Sequence, residues 1–268
     1  MKRRFFSWGF LFLLCCLAVE GGEELLLPTL TEEQARRIGE SVWRNECGKK
    51  KEGLLFWNPH EPFPSLGIGH FIWHPEGATS CFQESFPQLL RFLAKEGALL
   101  PLWLESIPSC PWKDRAHFLQ MEQSLKKKEL LDLLHSTLDL QVRFLVRRFH
   151  LSLPVLVKNA ESPKREKLMQ QIQRLLSVES GLYALIDYLN FKGEGLSPKE
   201  RYQGKGWGVL QVLERMQGSV AGLTAVEEFV REAKHVLAER VAASPPERGE
   251  ARWLPGWYNR LDTYILPP

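Results

Sequence analysis

The sequence predicts an α+β fold that is mainly α-helical, with a small sheet near the start of the chain. From residue 85 onward, apolar residues recur at the three- and four-residue spacing of amphipathic helices. Before that, residues 54–73 hold short β-type runs separated by glycine, proline and asparagine. Because no long linker or internal repeat interrupts residues 19–268, we expect them to form a single domain.

The first residues predict a secretory signal peptide over residues 1–18. Lys2-Arg3-Arg4 form a positively charged start, and Phe5 to Ala18 form an apolar run that is short for a membrane span. We therefore expect a periplasmic or secreted protein, with an uncleaved anchor as the alternative.

The net charge belongs to this signal. Without residues 1–18 the chain keeps 32 basic and 32 acidic residues. Nucleic-acid binding requires a basic surface, so this balance argues against it. We expect a monomer that contacts neither nucleic acid nor, after signal removal, the membrane.

Three cysteines lie outside the signal, at Cys47, Cys81 and Cys110. Their odd number leaves at least one unpaired within the chain. A Cys81–Cys110 bridge and three free buried thiols both remain open.

The first helix is predicted over Thr31 to Glu46. Thr31 and Gln34 fit a capping box, and Gly48 is a C-terminal stop. Glu46 follows Val42 on the apolar stripe. We expect burial there to raise the pKa of Glu46 and favour its acid form.

Two β segments follow. Leu54 to Trp57 forms a short strand and Phe63 to Trp73 a hairpin-like segment. Strand alternation puts Ser65, Gly67, Gly69 and Phe71 on one face, and His70 with its apolar neighbours on the other. Glycines on the first face would let a ligand approach the backbone.

The rest of the chain is predicted as helices. The segments are Ser85 to Lys95, Lys113 to Gln123, Glu129 to Phe149, Ser162 to Leu176, Leu182 to Phe191, Gly204 to Met216 and Ala225 to Ala242, with a further helix start at Ser197-Pro198-Lys199-Glu200. We expect Leu182 to Phe191, the most apolar of them, to be central.

Three stretches, in this order along the chain, together resemble the bacteriophage-type lysozymes. They are Ser65-Leu66-Gly67-Ile68-Gly69-His70, Ala184 to Gly193, and Trp207 to Leu213, with a weaker echo at Gly256 to Arg260. The resemblance implies a lysozyme-like fold, a small N-terminal sheet lobe packed on a helical lobe, with an insertion around 75–118. It also implies hydrolysis of the bond between N-acetylmuramic acid and N-acetylglucosamine in peptidoglycan.

The resemblance further implies a catalytic glutamate where the first helix ends. Glu46 is the predicted acid because it lies on the packed stripe. Glu52 is the alternative, since Glu52-Gly53 matches the family's Glu-Gly pattern. The family's aspartate has no counterpart, and Asn58 or Glu61 stands near its position.

Glycoside cleavage needs an acid and a group that stabilises developing positive charge or activates water. We assign these roles to Glu46 and Glu61, with Ser65 helping to place a water. The predicted substrate-binding residues are Asn58, Gly67, Gly69, His70, Asn190 and Lys192, although strand alternation makes His70 more typical of a core histidine than of a catalyst.

No metal or other cofactor is predicted. His70 and His74 share a spacing of four residues but have neither a zinc-binding HExxH pattern nor a clear third ligand. The predicted function is a secreted peptidoglycan glycoside hydrolase. The alternatives are a catalytically inactive module that binds wall glycan or protein, and a lytic transglycosylase.

Overall fold

A computed structural model describes residues 17–18, 24–25, 30–78, 83–106, 109–120, 124–160, 162–198 and 200–266. Apart from the backbone of strand β1 (Leu17–Ala18), which pairs with β2 (Glu24–Leu25), the predicted signal peptide lies outside these residues. Cys81 also lies outside them.

The described residues are mainly helical, which confirms the predicted fold class at this level. Their helices are α1 (Glu32–Cys47), α2 (Phe86–Lys95), α3 (Leu102–Glu105), α4 (Arg115–Gln120), α5 (Leu125–Ser136), α6 (Leu138–Asn159), α7 (Ser162–Leu176), α8 (Glu179–Lys192), α9 (Val209–Arg215), α10 (Leu223–Ala243) and α11 (Leu254–Asp262). No helix within the described ranges combines the length and apolar character that a membrane crossing requires.

The sheet near the start of the chain has three short antiparallel strands. β3 (Leu55–Phe56) pairs with β4 (Ser65–Leu66), and β4 pairs with β5 (Phe71–Ile72). The β4–β5 connection is a tight turn over residues 67–70. A further antiparallel hairpin, β6 (Arg201–Tyr202) and β7 (Lys205–Gly206), precedes α9.

Helix α1 begins and ends as predicted. Thr31 and Gln34 form the capping box, in which the Thr31 hydroxyl accepts a hydrogen bond from the Gln34 N–H at 3.1 Å. Gly48 ends the helix with a left-handed backbone at φ 58°. These local signals fix the last turn of α1 and therefore the position of Glu46.

Three predicted helices differ from the structure. The segment Glu129 to Phe149 is two helices, because α5 ends and α6 begins around Thr137. The predicted start at Ser197 opens no helix among the described residues, and residues 201–206 form the β6–β7 hairpin before α9. Hydrophobic periodicity alone does not show where a helix is interrupted.

Helix α8 is central, as expected. Every residue from Ser180 to Leu189 is buried, and α6, α7 and α10 pack around it. One continuous apolar core joins this helical region to the sheet, where Leu66, Phe71 and Trp73 are buried. The predicted insertion contributes to the same core through Phe86 of α2 and other side chains.

A buried ion cluster ties α7 to α10 on the side of α8 that carries α9. Arg174 is 5% exposed and donates to Glu228 at 2.8 Å. Its other donors reach the Val220 carbonyl oxygen at 2.9 and 2.7 Å. Glu228 accepts backbone N–H bonds from Gln217 and Gly218 at 2.7 and 2.9 Å. The cluster therefore pins the loop between α9 and α10.

Cys110 is a free, buried thiol, which decides against a Cys81–Cys110 bridge, one of the two alternatives that the sequence left open. Burial raises the pKa of Cys110 to about 12, and the thiol lies 3.7 Å from the Trp112 carbonyl oxygen. The thiol is therefore protonated at neutral pH and unreactive while it stays buried.

Candidate functional site

A cleft of about 470 Å³ lies between the three-stranded sheet and the helices α6, α8 and α10. Its lining is more polar than the core beneath it. Of the residues predicted from sequence to form the site, Glu46, Glu61, Ser65, Gly69, His70, Asn190 and Lys192 line this cleft. Asn58, Gly67 and Glu52 do not.

Glu46 lies in the last turn of α1, and its side chain is 8% exposed. Both carboxylate oxygens are held by neighbours. Oε1 accepts a hydrogen bond from Arg260 Nη2 at 2.5 Å, and Oε2 lies 3.0 Å from His70 Nδ1. The carboxylate therefore has a fixed orientation at the wall of the cleft.

Arg260 is itself held by Asp187 of α8. Its Nε and Nη2 donate to the two Asp187 oxygens at 2.8 and 2.9 Å, and the Tyr264 hydroxyl donates to Asp187 at 2.6 Å. Asp187 is fully buried. The cluster thus contains two carboxylates and one guanidinium before His70 is counted.

The expected rise in the pKa of Glu46 is wrong. Burial does act in that direction, but the charges of Arg260 and His70 and their hydrogen bonds outweigh it. The pKa of Glu46 therefore lies well below its ordinary value. The sequence shows the apolar stripe on α1, but no pattern in it indicates that Arg260 of α11 lies beside Glu46.

The position of His70 corrects the predicted strand alternation. Residues 67–70 turn instead of continuing as a strand, and His70 adopts a left-handed backbone at φ 45°. This turn rotates the imidazole out of the apolar face and into the cleft, where it is about one third exposed and meets Glu46. His70 is therefore not a core histidine.

Glu61 also lines the cleft, together with Glu194 and Glu200. Burial raises its pKa, whereas the charge of His70 opposes this rise. His70 thus acts electrostatically on both glutamates. Because a higher pKa makes a carboxylate a stronger base, Glu61 is suited to accepting a proton.

Asn190 joins the two walls of the cleft. Its side-chain N–H₂ donates to the Gly69 carbonyl oxygen at 3.2 Å and lies 3.5 Å from Glu46 Oε1. Its Oδ1 accepts from Arg148 at 3.4 Å. Asn190 therefore positions the turn beside Glu46, whatever it does for a ligand.

Gly67 and Asn58 have structural roles instead of the predicted ligand contacts. A Cβ atom on Gly67 would lie 2.3 Å from the Gln141 side-chain oxygen, which accepts the Ile68 N–H at 3.0 Å. Gly67 is thus required for the packing of α6 against the turn. The Asn58 side chain accepts the His60 N–H at 3.1 Å within its own loop.

Glu52, the alternative acid, lies in a short 3-10 helix, Lys51–Leu54, and is exposed away from the cleft. The Glu-Gly match therefore points to a loop residue. Glu46 occupies the helix end because α1 continues past it to Gly48.

Sequence reasoning missed Arg260, Asp187, Arg148 and Arg240. Asp187 carried a signal, since it is the one charged residue in an otherwise apolar stretch of α8 before Asn190. A charge that deep in a core requires a partner. Which arginine supplies it is a matter of tertiary structure.

Metal binding has no candidate among the described residues, because no three or more His, Cys, Asp or Glu side chains lie together there.

Comparison of the chain with protein-family models, curated proteins and solved structures gives no match. The function proposed below therefore relies on the geometry of the cleft and on the motifs of the sequence.

Proposed function

We propose that the protein is a secreted, lysozyme-like glycoside hydrolase that cleaves the glycan strands of peptidoglycan. The observation that carries this proposal is the placement of two of the four glutamates that line the cleft, Glu46 and Glu61, on either side of His70. Glu46 leaves the end of the first helix, Glu61 approaches from the sheet side, and His70 acts on both. Glycosidases of both stereochemical classes use two such groups.

The acid of this mechanism is Glu46, acting together with His70. Glu46 and Asp187 carry two negative charges against the one positive charge of Arg260. One further proton shared between Glu46 and His70 makes this buried cluster neutral. The charges of Arg260 and His70 lower the pKa of Glu46 and so favour its ionised form.

Substrate binding then favours movement of the proton to Glu46. Exclusion of water destabilises an imidazolium–carboxylate pair relative to the neutral imidazole and acid, because both charges lose solvation. Transfer from His70 Nδ1 to Glu46 Oε2 spans 3.0 Å. Glu46 can then protonate the glycosidic oxygen while His70 remains neutral.

Glu61 and Ser65 complete the reaction on the sheet side. The raised pKa of Glu61 suits a base that takes a proton from water. The Ser65 hydroxyl, which lines the same cleft, is the group we assign to hold that water. The sugar chain is accommodated by polar side chains such as Asn190 and by the aromatic residues Phe191 and Trp207.

The test is lysis of purified cell-wall sacculi, in solution and as a clearing band in a gel. We expect Glu46→Gln to lower the rate by about 10²- to 10⁴-fold, since general acid catalysis contributes that much. Glu61→Gln should fall in the same range. Glu52→Gln is the matched control, because Glu52 is exposed and outside the cleft.

Full lysis by folded Glu46→Gln would remove Glu46 from the mechanism. A large loss in Glu52→Gln would instead restore the alternative acid. Circular dichroism and thermal unfolding of each variant separate lost chemistry from lost folding.

The second candidate function is a lysozyme-like module that binds wall glycan without cleaving it. The engagement of both Glu46 oxygens by Arg260 and His70 favours it, because a fully paired carboxylate makes a poor proton donor. A wild-type protein that sediments with sacculi but produces no clearing band is the result this function predicts.

A lytic transglycosylase is the remaining alternative, and it needs only one acid/base glutamate. Hydrolysis releases one reducing end per bond cut, whereas intramolecular transglycosylation releases none. Reducing-end counts on the products of wild-type and Glu61→Gln protein therefore distinguish the two reactions. Retained activity in Glu61→Gln with no new reducing ends would favour transglycosylation.

A further inference from the structure

Lys192 is a buried cation in the wall of the cleft. It is the last residue of α8 and is 9% exposed, and it lines the cleft. Its amine lies over the rings of Phe191 and Trp257, 3.9 and 3.5 Å from their centroids. Among the residues that the structure describes, none forms a hydrogen bond or ion pair with this amine. Buried polar groups usually have such partners, so this amine is an exception.

The carboxylates near Lys192 are already engaged by other cations. Glu250 accepts two hydrogen bonds from Arg240, at 2.7 and 2.9 Å, and Glu46 is paired with Arg260. Burial, together with the charges of Arg240 and Arg260, holds the pKa of Lys192 well below its ordinary value. An arriving anion would therefore supply the partner that the protein itself does not.

Arg240 provides a second donor at the same place. Its guanidinium lies 4.1 Å from the Trp207 ring centroid and 5.1 Å from that of Trp257, the ring that Lys192 also contacts. The two Arg240 nitrogens that bind Glu250 are Nε and Nη2. Nη1 forms no hydrogen bond within the described part of the chain, and Arg240 lines the cleft.

We infer that Lys192 and Arg240 form a subsite for a free carboxylate of the glycan. This inference rests on the proposed function, which it deepens by defining the substrate. N-acetylmuramic acid carries a lactyl carboxylate when no peptide is attached, and N-acetylglucosamine carries none. Phe191 and Trp207, over whose rings the two cations lie, line the same cleft and hold both cations beside the path of the sugar chain. The preferred substrate is therefore glycan whose peptides have been removed.

The size of the preference follows from the chemistry of the contact. A hydrogen bond to a charged group contributes enough to change a dissociation constant by roughly 10- to 100-fold. We expect wild-type protein to bind N-acetylmuramic acid more tightly than N-acetylglucosamine by that factor. Binding is measured by titration calorimetry and by the NMR shift of the Lys192 εCH₂ group.

Two lysine variants test whether Lys192 is responsible. Lys192→Met keeps the apolar stem but removes the amine, so the preference for N-acetylmuramic acid should disappear. Lys205→Met is the matched control, since the Lys205 side chain is 60% exposed and outside the cleft. It should keep the full preference. Equal binding of the two sugars by wild-type protein overturns the inference without any variant, and so does a preference that survives in folded Lys192→Met.

Failure of this inference is distinguishable from failure of the proposed function, because sugar binding needs no cleavage. A preference in wild-type protein that lyses no sacculi supports the subsite and contradicts the hydrolase. Lysis without a preference supports the hydrolase and contradicts the subsite. With lysis established, wild-type protein should cleave amidase-treated glycan faster than peptide-bearing glycan, and Lys192→Met should not.

Discussion

Two buried arginines, Arg174 of α7 and Arg260 of α11, differ in what completes their surroundings. The Arg174 guanidinium donates to Glu228, Gln171 and the Val220 carbonyl oxygen, and Glu228 also accepts backbone N–H groups of the loop between α9 and α10. Around Arg260, the series Asp187, Arg260, Glu46 ends at His70, which is one third exposed in the cleft. The same pairing thus holds a loop in one region and orients the Glu46 carboxylate at the wall of the cleft in the other.

The difference shows that burial and pairing alone do not mark a functional charge. Both Glu46 and Glu228 have side-chain exposures below 10%, and both pKa values are lowered. What separates them is the imidazole of His70 beside Glu46, because the exposed neighbour of Glu228 is the Arg231 guanidinium at 4.0 Å, which stays charged. A buried charged group is therefore a candidate catalytic group when its hydrogen-bonded neighbours end at a titratable side chain that is exposed in a cleft.

Replacing each arginine in turn is the most direct test of the difference between the two regions. Arg260→Met and Arg174→Met should each lower the free energy of unfolding by about 3–5 kcal/mol, because each leaves buried carboxylate uncompensated. Arg260→Met should be the less stable, since it orphans both Asp187 and Glu46. Urea unfolding measures the stability. Only Arg260→Met should lose lysis per folded molecule, and equal loss in both variants would contradict the distinction.

The role of His70 predicts the next largest effect. The amide of His70→Gln can still donate to Glu46 but cannot carry the shared proton. We expect lysis to fall by roughly 10- to 100-fold, at or below the usual range for acid–base groups, and the alkaline limb of its pH profile to move to the pH at which Glu46 alone loses its proton. His235→Gln, at an exposed position on α10, is the control. An unchanged profile in His70→Gln would leave His70 with a purely structural role.

A glycine beside Arg174 tests the structural side of the comparison. A Cβ atom on Gly218 would lie 2.6 Å from both Arg174 Nη2 and Glu228 Oε2. Gly218→Ala should therefore lower the free energy of unfolding by about 1–3 kcal/mol through overpacking. Lysis per folded molecule should stay at the wild-type rate. A change in that rate would show that the two regions are coupled through α8.

The smallest effect is a shared dependence of stability on pH. Because the folded-state pKa values of Glu46 and Glu228 are lowered, both bind protons less readily in the folded chain than in the unfolded one. Their stabilising contribution is fully present above an unfolded pKa of about 4.3 and is lost as the pH falls through the folded pKa. Stability differences between wild type and Glu46→Gln or Glu228→Gln should therefore narrow below about pH 4. Differences that widen there would reverse the assigned direction.

Features encoded locally were predictable from the sequence. The capping box of Thr31 and the stop at Gly48 define α1 within a few residues, and Glu46 follows from its place on that helix. The helices α2, α7 and α10 were predicted because apolar residues recur in them at helical spacing. Helix α8 was predicted because it is apolar along most of its length. The two-helix break at Thr137 was missed because the stripe continues across it.

Features that depend on distant partners were not predictable. Arg260 lies 214 positions from Glu46, and no local pattern links them. The face of His70 was predicted wrongly because a positive φ at a non-glycine residue ends the strand where alternation assumes that it continues. Gly67 looked open to a ligand until Gln141 was found against it.

The distance along the chain between Glu46 and Arg260 also has a consequence for biosynthesis. A ribosome that has just added the last residue of α1 has still to add more than 200 residues before Arg260, whose guanidinium orients Glu46, is part of the chain. Until then Asp187 and Glu46 lack their shared counter-ion, and a truncated or nascent chain has no organised acid. A hydrolase of the kind proposed would thus become active only after its synthesis has passed α11.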